Sequence, residues 1–504
     1  MKRGLVLFLA LIMLIGCLAA CGPKSETPGG SSEIKEDREA DAYLPKKDYS
    51  GKTYTVLYRS GQIYEEEWIS DSNKGADVIN DAIASRNQAV IDRYGVKLDY
   101  KSGQVIGSDF DADFLPKITT NTTDDNFQLV AGNTYRLAEA SVRGYFLNWL
   151  NPEQVPTVDL TAEWWDYDFT REARYNGCSY VATGPLSLTD MYSSACIFFN
   201  KTLLEKFKGP TATEELFDLV ENGGWTLDKL IEYAAECTDK VSSDETDSNS
   251  IYGLATNWNN QIDAYIYASN LVMTERKNGT IVLKTVDANN RILDLAAKLQ
   301  AFHQDSGNVI MFGSKVTPER VYKFVEGKSV FCTGILQSAK DIQNSAKELL
   351  YGVIPYPKYD EAQEEYHTYK LDFKTVFCIP RSVKEGNREF VGTITEALAY
   401  YSNKYVRPAL YEKVLKHKNV QDAQSSKMID KILDGGLYEF ANIYAYAWGD
   451  EASPAHLLRK IVEPSGKGKN FSTEYSSNLK RYNASLKKLL DDFKSDDVAA
   501  PEQP

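Results

Sequence analysis

Thr53-Tyr54-Thr55-Val56-Leu57-Tyr58 is a run of β-branched and aromatic residues and predicts a strand. After a loop from Arg59 to Lys74, Ile79, Ala82, Ile83, Val90 and Tyr94 share one face of a helix, which Gly95 ends. Val96-Lys97-Leu98-Asp99-Tyr100 alternates as a second strand. Phe127-Gln128-Leu129-Val130 makes a third, running into Ala131-Gly132-Asn133. Strands and helices in this alternation predict an α/β fold, a sheet with helices on its faces. In such sheets ligands sit beyond the carboxyl ends of the strands. Arg59 and Gln62 after the first strand, and Asn133 and Arg136 after the third, are therefore candidate ligand contacts. For each, the competing reading is a solvated loop or a salt bridge.

Upstream, Lys2 and Arg3 precede an uncharged apolar run from Leu5 to Ile15, the form of a secretory signal and too short for a stable membrane span. Leu18-Ala19-Ala20-Cys21-Gly22 resembles a bacterial lipobox, in which the Cys thiol takes a diacylglycerol and the peptide is cut just before it. Leu14-Ile15-Gly16-Cys17 fits the pattern more loosely. The expectation is a signal peptide over 1–20, lipidation at Cys21, and a flexible tether over 21–48. That tether is rich in Ser, Gly, Pro, Lys and Glu, with too little apolar surface to order itself. The location that follows is extracytoplasmic, anchored by lipid to the outer face of the bacterial cell membrane.

Of 504 residues, roughly 450 lie beyond the tether, enough for two substantial cores. The net charge of −14 argues against nucleic acid and against anionic headgroups as partners, since surfaces that bind either are basic. Cys178, Cys196, Cys237, Cys332 and Cys378 are odd in number and scattered. They read as buried small hydrophobes, with a Cys178–Cys196 disulfide as the alternative. Further helices are expected after Thr226, around Ile292 to Leu299, around Val321 to Val325, and at the end, where Tyr475, Leu479, Tyr482, Leu486, Leu489 and Phe493 share a face. Ser242 to Ser250 is a polar acidic loop whose spacing does not fit an EF-hand. Glu65-Glu66-Glu67 beside Trp68 reads as a solvated face.

Five pieces in order carry a family resemblance. They are Arg174 to Pro185 with Ile197-Phe198-Phe199-Asn200-Lys201; Trp225-Thr226-Leu227-Asp228-Lys229-Leu230; Phe324 to Gly334; Tyr351-Gly352-Val353-Ile354-Pro355; and Thr375 to Pro380 with Asn387 to Ser402. Together they resemble the family 1 extracellular solute-binding proteins of ABC transporters, the group that includes maltose-binding protein. The resemblance spans about Gly51 to Asp491. It implies a two-lobed type II fold with discontinuous lobes: 49–187 plus 375–435, and 190–370 plus 440–495, with a tail at 496–504. Strand crossovers are implied near Leu186 to Ser193, Tyr369 to Thr375 and Asp434 to Asn442, with the ligand between the lobes. It also implies a monomer that delivers a carbohydrate, an oligosaccharide by preference, to a transporter permease by hinge closure.

A sugar needs flat aromatic platforms beside paired donors and acceptors. Trp258, with Asn259 and other amides around it, falls where the family has a ligand loop; the competing reading is a surface loop anchored by one Trp. Tyr446 and Trp448 follow the third crossover and would share a face if Ala445 to Trp448 were a strand; the alternative is that both are core. Asp190 and Asp372, in the first and second crossovers, could each accept two hydroxyl hydrogen bonds. Nothing in the sequence marks an enzyme, a cofactor or a metal site: there is no zinc, nucleophile-elbow or phosphate-loop motif, and four His are far apart. A binder of another solute or a sensor subunit is the alternative on the same fold, with a glycan-active enzyme behind it.

Overall fold

The computed structural model describes residues 39–73, 77–104, 110–121, 126–242, 249–287, 290–313, 319–415, 423–449 and 453–493. Cys21, the signal and tether expected before residue 39, the acidic stretch 243–248 and the tail at 496–504 lie outside these. The chain divides into Met1–Tyr43, of which a short turn at Ala40–Ala42 is described, and a compact unit from Leu44 onward. Everything below concerns the second unit.

Two sheets organise it. The first has the order β12-β3-β1-β2, from β1 (Thr53–Arg59), β2 (Lys97–Gly103), β3 (Leu129–Asn133) and β12 (Thr375–Cys378). Its first three strands are parallel, and β12 runs antiparallel to β3, with Thr375 opposite Asn133. The second has the order β10-β4-β9-β5-β8, from β4 (Ala195–Asn200), β5 (Tyr252–Asn257), β8 (Val309–Phe312), β9 (Ser329–Ile335) and β10 (Tyr351–Ile354). Here β4 alone runs against its neighbours. Strands β6 (Thr274–Lys277) and β7 (Thr280–Leu283) form a separate hairpin. Strands β3, β4, β5 and β12 are buried along their whole length, which is why their sequences are apolar runs and not simple alternations.

The chain passes between the sheets in three places, and these passages lie side by side. Ala182 bridges Phe377, Ser194 bridges Lys370, and β11 (Thr368–Tyr369) pairs in parallel with β13 (Gly436–Leu437). Because β4 leaves and β12 returns antiparallel to their neighbours, the carboxyl ends of β1 and β3 and those of β5, β8 and β9 all lie on the side of these connections.

The helix Val78–Tyr94 buries Ile79, Ala82, Ile83, Val90 and Tyr94, the stripe expected from its spacing. Asp77 accepts from the amides of Ile79 and Asn80 at its start, and Gly95 closes it at φ 64°, a conformation that costs a side-chain-bearing residue more than glycine. The helix Ala423–Asp434 packs on β10 of the second sheet. The last helix, Phe471–Asp492, buries Tyr475, Tyr482, Leu486 and Leu489, with Phe493 just past it. Leu479, expected on the same face, is 38% exposed. All five cysteines of the described residues are free and buried, so the Cys178–Cys196 pairing is not formed. Among the described residues no helix is long and apolar enough to cross a membrane, and no group of His, Cys, Asp or Glu could hold a metal ion.

Candidate functional site

Parallel strands leave their last residues pointing past the sheet edge, and β1 and β3 end there in polar groups. Arg59, the last residue of β1, is 2% exposed; its Nη2 donates to Thr375 Oγ1 at 3.2 Å, and its guanidinium lies 3.4 Å from the ring centre of Tyr64. Burial lowers its pKa, against the pull of Tyr64 and Glu67. Arg59 Nε is buried with no partner among the described residues, and so is Oδ1 of Asn133 at the end of β3. Buried polar atoms are ordinarily satisfied, so an unpaired donor and an unpaired acceptor at neighbouring strand ends mark this as a candidate site. Gln62 begins a short helix here, Gln62–Glu65, but its side chain lies outside those described.

The floor is set by the second connection. Asp372 lies three residues before Thr375 and is partly exposed. Burial raises its carboxyl above the usual range, opposed by Arg459 and His456 and reinforced by Asp263. It also interacts with Arg59 and with Tyr135 of the first-sheet side. On the other side Arg459 donates from Nε to Asp263 Oδ2 at 2.7 Å, leaving Asp263 Oδ1 buried and unpaired among the described residues. Asp372 thus stands between an arginine from each half.

Aromatic surface comes from three places. Tyr135, in the helix Thr134–Ser141 that follows β3, packs against Tyr446 with ring centres 4.7 Å apart, and the Arg136 guanidinium sits 5.5 Å from the Tyr446 ring. Arg136 also pairs with Glu139 at 3.2 Å. Trp258, just past the end of β5, is half-buried; a Cβ placed on Gly313 beyond β8 would lie 3.3 Å from its indole, so the ring rests on bare backbone. Asn257 before it has a buried Oδ1 without a partner among the described residues. Asn259 precedes the helix Asn260–Ala268, and its carbonyl accepts from Ile262 N at 2.8 Å.

Three expectations are corrected. Ala445–Trp448 is a helical turn and not a strand, so Tyr446 and Trp448 do not share a strand face. Tyr446 is half-buried beside Tyr135, while Trp448 is 2% exposed and its Nε1 donates to Tyr482 O at 3.0 Å: it is core. Asp190 is taken up by a buried ion pair, its Oδ2 2.8 Å from Lys370 Nζ. Glu67, read as a solvated face, is 1% exposed and lies at the centre of the connections. Its Oε1 accepts from Ser187 Oγ at 3.0 Å and from Thr189 N and Oγ1 at 3.1 and 3.0 Å; its Oε2 accepts from Thr375 Oγ1 at 2.8 Å. Burial raises the Glu67 pKa, and Arg59 and these hydrogen bonds oppose the rise. Only the full-length fold brings the partners of Glu67 together, so no local sequence signal could have found it.

No family model matches the sequence, nor does any curated protein. Solved structures do match in fold. A cyclo/maltodextrin-binding protein complexed with maltotetraose has a TM-score of 0.54 at 13% identity, over 87% of this chain and 99% of that one. The GacH receptor of Streptomyces glaucescens GLA.O, known unliganded and with acarbose, has 0.52 at 16%, over 88% and 99%. UgpB from Mycobacterium tuberculosis, in complex with glycerophosphocholine, has 0.53 at 14%, over 81% and 95%. With two sheets whose carboxyl ends lie at three side-by-side connections, this chain has the two-lobed, type II solute-binding-protein fold, its lobes discontinuous in sequence and joined by a multi-strand hinge.

Proposed function

We propose that this chain is an extracytoplasmic substrate-binding lipoprotein that captures a carbohydrate, an oligosaccharide by preference, between its lobes and passes it unaltered to an ABC transporter permease. The lobes are taken as 49–187 with 375–415, and 190–370 with 423–434 and 440–495, because the helix Ala423–Asp434 packs on β10 of the second sheet; the lipid anchor is taken as Cys21. Arg59, Asn133, Arg136, Asp372, Tyr446, Trp258, Asn259 and Gln62 are the proposed contacts; Trp448 and Asp190 are withdrawn from the set. The observation that carries the reading is the pair of buried groups Arg59 Nε and Asn133 Oδ1, unsatisfied among the described residues, at neighbouring strand ends. Beside them lie the aromatic surfaces of Tyr135 and Tyr446. Polar orphans beside flat rings suit a polyol. A ligand that touches both halves favours the closed hinge by its differential affinity for that state.

A thermal-shift panel tests this, with mono- and oligosaccharides, glycerophosphodiesters, amino acids and polyamines as probes. A glycan held at about 100 times its Kd should add about 2.7 kcal/mol of stability. The reading fails if only a non-glycan raises the melting temperature, or if the glycan is hydrolysed during incubation. For the anchor, Cys21→Ser should release the protein from the membrane fraction.

A further inference from the structure

The three connections between the sheets share one buried ammonium. Lys374, in the second connection, is 2% exposed, and its Nζ lies 3.7 Å from the ring centre of Tyr438, just past β13 in the third, and 4.4 Å from that of Phe169. The charged groups around it are Asp190 of the first connection, Asp166 at the start of the helix Tyr167–Ala173, and Lys370 and Asp372 of its own segment. Asp190 is bound to Lys370 at 2.8 Å and feels Arg407 as well; Asp166 accepts a hydrogen bond from the Tyr438 hydroxyl. The Lys374 carbonyl accepts from Thr134 N at 3.1 Å and from Thr134 Oγ1 at 3.2 Å. Thr134 stands between Asn133 and Tyr135 on the proposed ligand side.

We propose that Lys374 is a proton-dependent latch of the hinge, whose charge state sets the balance between the arrangement seen here and one in which the connections have parted. The inference rests on the hinge-closure reading above. Lys374 is enclosed by groups from separate connections, so a change of angle between them must open that enclosure and admit water. Burial of the ammonium disfavours its charged form, and Asp190 and Asp166 recover only part of the loss, leaving the group titrating at about 7. Raising pH through neutrality therefore favours the enclosed arrangement, and lowering it favours the arrangement that wets Lys374. A lysine of ordinary pKa would stay charged throughout and switch nothing.

The test uses the full chain with Cys17→Ser and Cys21→Ser, labelled at Lys97→Cys and Val241→Cys, both exposed and at the far ends of the two sheets. The cysteines of the described residues are buried and do not compete for label. Energy transfer is read without any sugar from about pH 6 to about pH 8.5, a span that brackets neutrality. The unsubstituted hinge should show a one-proton transition near neutrality. Lys374→Met should hold the high-pH distance throughout, and Lys374→Arg the low-pH distance. A flat profile with Lys374 in place, or a Lys374→Met profile that still follows it, overturns the proposal. If Lys374→Met does not fold, the Lys374→Arg profile decides. Because no sugar is present, failure here is distinct from failure of any glycan to bind.

Discussion

The carboxylate of Glu67 accepts a 2.8 Å hydrogen bond from the hydroxyl of Thr375, 308 residues further along the chain. The same carboxylate holds Ser187 and Thr189, so one side chain from the loop after β1 fastens the first connection to the second. It also lies beside Arg59, whose Nη2 donates to that same Thr375 hydroxyl. The Arg59 charge beside the proposed ligand site is thus compensated inside the hinge itself. A ligand at Arg59 need not be an anion.

Glu67→Gln should therefore be costly. The amide keeps one acceptor oxygen and turns an NH2 toward donors that no longer have a partner, and it leaves the Arg59 charge uncompensated. Each buried unsatisfied group costs about 1–3 kcal/mol, so a loss of about 2–4 kcal/mol is expected in chemical denaturation. Glu65→Gln, at an exposed neighbour, should stay within about 0.5 kcal/mol. Equal midpoints for the two variants would refute this account of the hinge.

The two tryptophans proposed from sequence as ligand platforms should separate cleanly. Trp448→Ala removes a core indole and a hydrogen bond to Tyr482, and a cost of about 3–5 kcal/mol is expected. Trp258→Ala removes a half-buried ring resting on Gly313 and should destabilise by less than about 1.5 kcal/mol. If Trp258 is a platform, calorimetric titration of the glycan identified in the panel should show a loss of about 10-fold or more for Trp258→Ala. Unchanged affinity would return Trp258 to the status of a loop anchor.

The strand run at Thr53 and the helical stripe from Ile79 to Tyr94 are legible because β-branched and aromatic enrichment and helical spacing are local signals. Glu67 is not, because a run of three glutamates reads as solvated unless one knows that Ser187, Thr189 and Thr375 converge on the third. A strand at Ala445 would put Tyr446 and Trp448 on one face; a helical turn separates their directions and sends Trp448 to the core. Leu479 satisfied the helical spacing of the last helix, yet that helix presents it outward.

Glu396 offers a test by pH. It is buried between Trp164 Nε1 at 2.7 Å and Trp165 Nε1 at 2.8 Å, both of which donate to it, and burial pushes its carboxyl up to about 7. A carboxyl raised in the fold binds more protons folded than unfolded between its ordinary value of 4.5 and about 7. Its contribution to stability is thus whole below 4.5 and is lost as pH rises through about 7. Glu396→Gln cannot ionise and should escape that loss, at a pH-independent cost because its NH2 meets the N–H of one of the two indoles. Denaturation of both proteins from about pH 5 to about pH 8 should show the variant gaining on the parent by up to about 1.4 kcal/mol per pH unit before levelling off. Parallel profiles would show that Glu396 stays ionised.

Asp372 is where affinity and stability should part. Its partly exposed carboxylate stands between Arg59 and Arg459, and burial already raises its pKa. As an ionised group it presents acceptors to two hydroxyls at once; an amide presents one acceptor. Asp372→Asn should weaken glycan binding by about 10- to 100-fold, the equivalent of about 1.4–2.8 kcal/mol. Stability should move the other way. A carboxyl raised in the fold gives a contribution that falls as pH rises through its folded value, so the asparagine variant should gain on the parent as pH rises toward neutrality. Affinity of the parent should decline on acidification at a higher pH than an ordinary aspartate would allow, since protonation removes the second acceptor. Affinity of the variant should show no such decline. Calorimetric titration of the panel's glycan at falling pH measures both, and a variant that binds as tightly as the parent would remove Asp372 from the site.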